Sequence, residues 1–243
     1  MVCAARVQVG FFGQSFWAVL CRADGRLRER TRSLARRGAV QFGPPMRDDG
    51  QDGRLRVRDG EVALDLLLEE APGIQVVCPH GRDEVWTRKQ AGIAARGTLA
   101  LGCAAARDVE ALAVIDDTAG YHARHTEWWW SAGVGKSPDG TALAWNLVTG
   151  VNDPPSGSER AVWVAGEPHE VPPVRFSEDL AEICCEDGSK LSFAAEAQRS
   201  RSDNLLILSS DYSAPFGGFT GTLPGRIALA HGRGVVEHHR ARW

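Results

Sequence analysis

No apolar run in the 243 residues approaches the about 18 that a membrane-spanning helix needs. The apolar stretch "FFGQSFWAVLC" is short and has neither a basic leader nor a cleavage site, so no signal peptide is read and a cytoplasmic protein without a transmembrane segment is expected. Neither sign of charge prevails: 28 Lys and Arg stand against 31 Asp and Glu, a net charge of −3 at pH 7, which argues against nucleic acid as a partner. Phosphate-binding loops are missing too. No G-x-G-x-x-G leads from a strand into a helix, and "GVGKSPDG" has a badly spaced first glycine and a hairpin behind it, so no cofactor is expected. "GQSFW" is not a nucleophile elbow, and no Ser–His–Asp order stands out along the chain. Six cysteines occur without a C-x-x-C pair, and Cys184 and Cys185 are adjacent, a poor arrangement for one metal. A chain of this length needs no disulfides, so reduced, mostly buried thiols are expected.

Helical periodicity is also scarce; only "EAQRSRSDN" at 196–204 suggests a helix, and it reads equally as a loop. What the chain has instead is alternation punctuated by turns about every ten residues. "GRLRVRDGEVALDLLLEE" gives two strands about Asp59–Gly60. Further hairpins turn at Pro138–Asp139–Gly140, at Gly166–Glu167 and at Asp187–Gly188. Arginines 22, 26, 28, 30, 32, 36 and 37 form a basic stretch, read as the solvated side of a strand. "FGPPMRDDGQDG" and "VNDPPSGSE" read as long surface loops. The pattern predicts a mostly β, antiparallel protein of barrel or sandwich type.

The densest chemistry lies in "YHARHTEWWWSAGVG", from Tyr121 to Gly135. As a strand it puts His122, Arg124, Thr126, Trp128 and Trp130 on one side, and Tyr121, His125, Glu127 and Trp129 on the other. A dry core disfavours such mixing, because an unsatisfied buried polar group costs about 1–3 kcal/mol. A ligand cavity, apolar with a few convergent polar groups, suits it; so does a barrel rim with only the Trp end buried. His122 and His125 form H-x-x-H, and Glu237, His238 and His239 close the chain, but on strands these rings diverge and no metal site is assigned. Asn146 interrupts an apolar strand, Asn152 sits in turn chemistry, and Glu159 ends that loop where a strand begins. In "VWTRKQAG", Trp86 and Arg88 repeat the aromatic-plus-cation spacing; Arg88 suits an anionic head group or a surface pair.

"DDTAGYHARHTEWWWSAGVG", "AWNLVTGVNDPPSGSERAVWV", "VRFSEDL", "NLLILSSDYSAPFGGFTGTLPG" and "GVVEHHRARW" resemble the bacterial family called domain of unknown function 2804; "WTRKQAG" and "DGEVALDL" fit its first half. Trp129, within T-x-W-x-W, departs from that pattern. The family is similar, more remotely, to the lipocalin-like carotenoid hydratase and AttH group. That resemblance implies two lipocalin-like (calycin-like) barrel halves packed together, here residues 1–110 and 111–243. It also implies binding of a hydrophobic or amphipathic small molecule in a Trp-lined cavity, with hydration, isomerisation or cyclisation of it; the alternative is a non-catalytic carrier. The expected catalytic groups are His122 and Glu159. The expected ligand-binding groups are Trp86, Arg88, Tyr121, Arg124, His125, Trp128, Trp130, Asn146 and Asn152.

Overall fold

The computed structural model describes residues 1–10, 12–33, 39–43, 53–71, 73–205 and 208–242. Every regular element among them is a β-strand, and every pairing registered is antiparallel. The chain forms two compact units, one of residues 1–71 with 93–113 and the other of residues 72–92 with 114–243.

In the first unit, β1 (Val2–Val9), β2 (Phe12–Cys21) and β3 (Arg26–Ser33) form a three-stranded sheet. β4 (Val40–Phe42), β5 (Gly53–Asp59) and β6 (Val62–Leu68) continue onto residues 95–101 of a later strand. The Asp59–Gly60 hairpin forms as expected, because Gly60 takes the positive φ that the turn demands. Val62, Leu64, Leu66 and Leu68 are buried at every second position, so the alternation of β6 is that of a half-buried strand. Of the basic stretch, Arg26, Arg28, Arg30 and Arg32 lie on β3; Arg30 and Arg32 bind Asp59, while Arg36 and Arg37 lie outside the described residues. Most of the "FGPPMRDDGQDG" loop lies outside them as well.

In the second unit, β7 (Ile74–His80) pairs with the opening of β8 (Asp83–Leu101), which also pairs with β9 (Arg107–Gly120). A nine-stranded sheet follows, built from β10 (His125–Lys136), β11 (Ala142–Thr149), β12 (Ala161–Val164), β13 (Glu167–Glu170), β14 (Val174–Phe176), β15 (Glu182–Cys185), β16 (Lys190–Leu205), β17 (Leu208–Leu223) and β18 (Ile227–Arg242). Its spatial order is β13-β12-β11-β10-β18-β17-β16-β15-β14. The segment 196–204 is strand, part of β16, because pairing with β17 outweighs its polar composition; a bulge at Ala195–Ala197 accommodates the match.

One face of this sheet is filled. Trp145 and Phe219 lie 4.9 Å apart, Phe193 and Phe219 4.6 Å apart, and Leu143, Leu147, Leu191 and Val236 close around them. Truncating Trp145 or Phe219 to alanine is expected to cost about 3–5 kcal/mol. Glycine explains how so large an indole fits. A Cβ at Gly133 would stand 2.3 Å from Trp145 Cζ2, and one at Gly232 2.7 Å from Cη2, so the ring lies directly over bare backbone. None of the six cysteines is joined in a disulfide, but only Cys78 and Cys185 are buried; Cys103 and Cys184 are exposed, which corrects the expectation of mostly buried thiols.

Candidate functional site

The alternation of β8 decides which groups meet. Val85, Thr87 and Lys89 point to the buried side, with Lys89 only 3% exposed, while Trp86 and Arg88 point to the other. The adjacent acids of β9 divide in the same way: Asp117 takes Arg88, with Nη2–Oδ2 at 2.6 Å, and Asp116 takes Lys89, with Nζ–Oδ2 at 2.5 Å.

On the far side of Lys89 stands Glu159, 1% exposed, with Oε1 3.2 Å from the ammonium. Its other carboxylate oxygen accepts a hydrogen bond from Asn152 Nδ2 at 2.9 Å. The Glu159 carbonyl accepts from Asn146 Nδ2, also at 2.9 Å, and Asn146 Oδ1 accepts from Trp130 Nε1 at 2.8 Å. Asn152 adopts φ of 48°, a left-handed conformation that asparagine tolerates better than most residues. Its Oδ1 is buried without a hydrogen-bond partner. The loop carrying Asn152 and Glu159 is anchored rather than simply superficial. Arg160, 1% exposed, donates to the carbonyls of Asp153, Pro154 and Val171, and Ser158 bonds Glu170.

Two carboxylates therefore share one ammonium. Burial pushes Lys89 down, but Asp116 and Glu159 outweigh it and the net direction is up, so the lysine stays charged. Burial pushes Glu159 up; Lys89 pulls it down, Asp116 pushes it up again, and the net direction is up. The Asp116 side chain is 40% exposed and links the buried pair to water.

The remaining candidates divide among other places. Trp86 donates to Gln75 Oε1 at 3.3 Å and, with Val77 and Tyr121, lines an open depression of about 540 Å³ bordered by Arg82, Asp83 and Glu84. Tyr121 is 75% exposed and Val77 58%. β10 begins only at His125, so His122 and Arg124 do not share its alternation with Thr126, Trp128 and Trp130, which corrects the sequence reading of that face. His122 packs edge-on against His80 at 5.1 Å, and its surroundings together with that second imidazole push it below the usual histidine value. Arg124 and His125 are exposed. Trp128 donates to Glu237 Oε1 at 3.0 Å and packs on His239, while Trp129, on the opposite side of the strand, stacks on His238 at 4.4 Å. The structure thus gathers Trp130, Asn146, Asn152 and Glu159 into one network. It sets Trp86 and Arg88 across β8 from that network, and places Trp86 and Tyr121 at the depression. Lys89 and Asp116 were not among the expected site residues. A lysine in phase with Val85 and Thr87 was the signal available for the first.

These features define a class: an antiparallel β protein of lipocalin-like build, with one nine-stranded half-barrel. Solved structures of other proteins share the fold, among them the following two. A candidate AttH protein from Nitrosomonas europaea aligns with TM-score 0.57 and 14% identity over 93% of this chain and 80% of that one. Kievitone hydratase from Nectria haematococca aligns with TM-score 0.57 and 13% identity over 98% and 82%. Among curated proteins no sequence match is found. The family model "Domain of unknown function (DUF2804)" matches residues 24–243, and the chain belongs to that family.

Proposed function

We propose that the protein binds a hydrophobic or amphipathic small molecule at the depression walled by Trp86, Val77 and Tyr121. The supporting observation is the exposure of Val77 and Tyr121 beside the half-buried Trp86, around a hollow of about 540 Å³ with charge of both signs at its border. Apolar surface of that kind, with a few polar groups beside it, is what a small amphipathic ligand recognises. On this reading the ligand rests against Trp86 and Tyr121, which line the depression, rather than against Trp128 and Trp130, which do not. The test is titration with the amphipathic dye 8-anilinonaphthalene-1-sulfonate, following its emission and the tryptophan quench. Trp86→Leu with Tyr121→Ala is expected to weaken binding about tenfold; unchanged affinity in that double variant overturns the site.

A second reading, conversion of the ligand by hydration, isomerisation or cyclisation, is favoured by the raised, buried Glu159. A carboxyl raised above its ordinary value by burial is suited to general acid–base work. Kievitone hydratase, a protein of like fold, is by its name a hydratase. Glu159 lies across β8 from Trp86, so in this reading the reacting group of the ligand reaches past the depression to the Glu159 network, while His122, in the connector beside Tyr121, acts at the depression. With oleic acid as the test alkene, a converting enzyme yields a product heavier by one water, and Glu159→Gln abolishes it while dye binding survives. A pure carrier binds oleic acid and returns it unchanged.

A further inference from the structure

Sequence order offered no serine–histidine–acid constellation, but the sheet register assembles one. β17 and β18 pair so that Tyr212 lies opposite His239 and Ser210 opposite Ala241. Ser210 Oγ then stands 2.8 Å from His239 Nε2, and His239 Nδ1 stands 3.6 Å from Glu237 Oε1. Glu237 and His239 are two residues apart on β18 and share one face, which β10 joins through Trp128 opposite His239. The Glu237 oxygen nearest the ring is fixed by the Trp128 indole N–H at 3.0 Å. The imidazole is held between two aromatic rings, Trp128 with centroid at 4.1 Å and Tyr212 with centroid at 5.3 Å. His239 and Glu237 keep side-chain exposures of 16% and 22%, so the group is part-buried without being sealed from solvent.

The tautomer follows from these neighbours. A carboxylate facing Nδ1 favours the proton on that nitrogen, which leaves Nε2 as the acceptor for the serine hydroxyl. That is the order of roles in nucleophilic acyl transfer: nucleophile, base, orienting acid. We infer that Ser210, His239 and Glu237 form an acyl-transfer site for small carboxylic esters, separate from the Glu159 network and independent of dye binding at Trp86. Ser210 Oγ bonds to the acyl carbon as its proton passes to His239 Nε2. The ester C–O bond breaks, and the alcohol leaves with that proton. Water then attacks the acyl-serine, giving its proton to His239, which returns one to Ser210 as the carboxylic acid departs. Ser210 and His239 are the catalytic residues; Glu237 is a positioning residue.

The test uses the full chain with a fluorophosphonate probe, located by peptide mass spectrometry, and with p-nitrophenyl butyrate turnover. The expected result is a phosphonyl adduct on Ser210 and ester hydrolysis, both abolished in Ser210→Ala. His239→Gln is expected to lower kcat about 100-fold or more, the scale of a lost general base. Glu237→Gln is expected to lower kcat with KM unchanged, a split that mere loosening of the sheet does not produce. Far-UV circular dichroism confirms that Ser210→Ala keeps its β spectrum. Should His239→Gln fail to fold, Ser210→Ala and the adduct map still decide. An adduct on another serine, no adduct on the folded protein, or hydrolysis that survives Ser210→Ala overturns the inference.

Discussion

Each unit of the molecule buries a carboxylate, and the two behave in opposite ways. Asp59, with a side chain 3% exposed, accepts from Trp17 Nε1, Arg30 Nη1 and both Nε and Nη2 of Arg32. Hydrogen bonding from Arg32 above all, against the opposing pull of burial, brings it to about 2 from an ordinary 3.8. Glu159 has one ammonium, shared with Asp116, and one amide donor; burial dominates and it moves up. The Asp59 guanidiniums are themselves 44% and 49% exposed, so they bring their charge without losing all their hydration. Lys89, at 4%, has lost nearly all of its own. Donor count and the exposure of the partner cation, rather than burial of the acid, therefore separate a structural carboxylate from one poised to exchange a proton.

The sharpest way to break this contrast is to remove the cation from each cluster. Lys89→Met leaves two carboxylates facing each other, one of them wholly buried, and is expected to destabilise by about 3–5 kcal/mol. Lys89→Met combined with Glu159→Gln is expected to recover much of that loss. Arg32→Ala leaves Asp59 with Arg30 and Trp17 and is expected to cost only about 1 kcal/mol, since the arginine lost is itself half exposed and two other donors remain. Urea unfolding at pH 7 measures all three. Equal losses for Lys89→Met and Arg32→Ala would remove the distinction.

The pH dependence sharpens the same contrast at somewhat smaller magnitude. Asp59 is lowered on folding, so its stabilisation is fully present above about pH 4 and is lost as the pH falls toward 2, about 2 kcal/mol in all. Glu159 is raised on folding, so the folded state holds its proton longer than the unfolded chain does. Its contribution therefore declines as the pH rises from its ordinary 4.5 through the higher folded value. Melting temperatures of Asp59→Asn and Glu159→Gln against the parent, from pH 2 to 8, should flatten opposite limbs of the curve. Flattening of the same limb by both would show the two acids to be alike.

How far the sequence foretold these places depends on the range of the interaction. The Asp59 turn was legible because Asp-Gly between alternating strands is a local signal. Its arginine partners, on β3, were visible only as a basic stretch. In the Glu159 network, Trp130, Asn146, Asn152 and Glu159 stood out because polar groups beside apolar strand residues call for partners. Lys89 and Asp116 did not, since choosing between Arg88 and Lys89, or between Asp116 and Asp117, requires knowing which face of the strand is buried. A one-residue change of phase exchanges them. The reading of His122 and Arg124 failed on the strand's starting point, and that of 196–204 on a pairing partner distant in the chain. Ser210 and His239 meet only through the register of β17 and β18.

The finest division within the comparison lies at Asp116, which has no counterpart beside Asp59. Its charge is one of the two influences that raise Glu159, yet its own side chain is 40% exposed, so its direct share of stability is small. Asp116→Asn removes the competing carboxylate and leaves Lys89 to Glu159 alone. Stability at pH 7 is then expected to change by less than about 1 kcal/mol, while the decline assigned to Glu159 moves to lower pH. Titration of the Glu159 side-chain carbon by NMR reads that movement directly. An unmoved midpoint would mean that Asp116 only tethers the lysine, and the two buried acids would then differ in their donors and cations without a competing carboxylate.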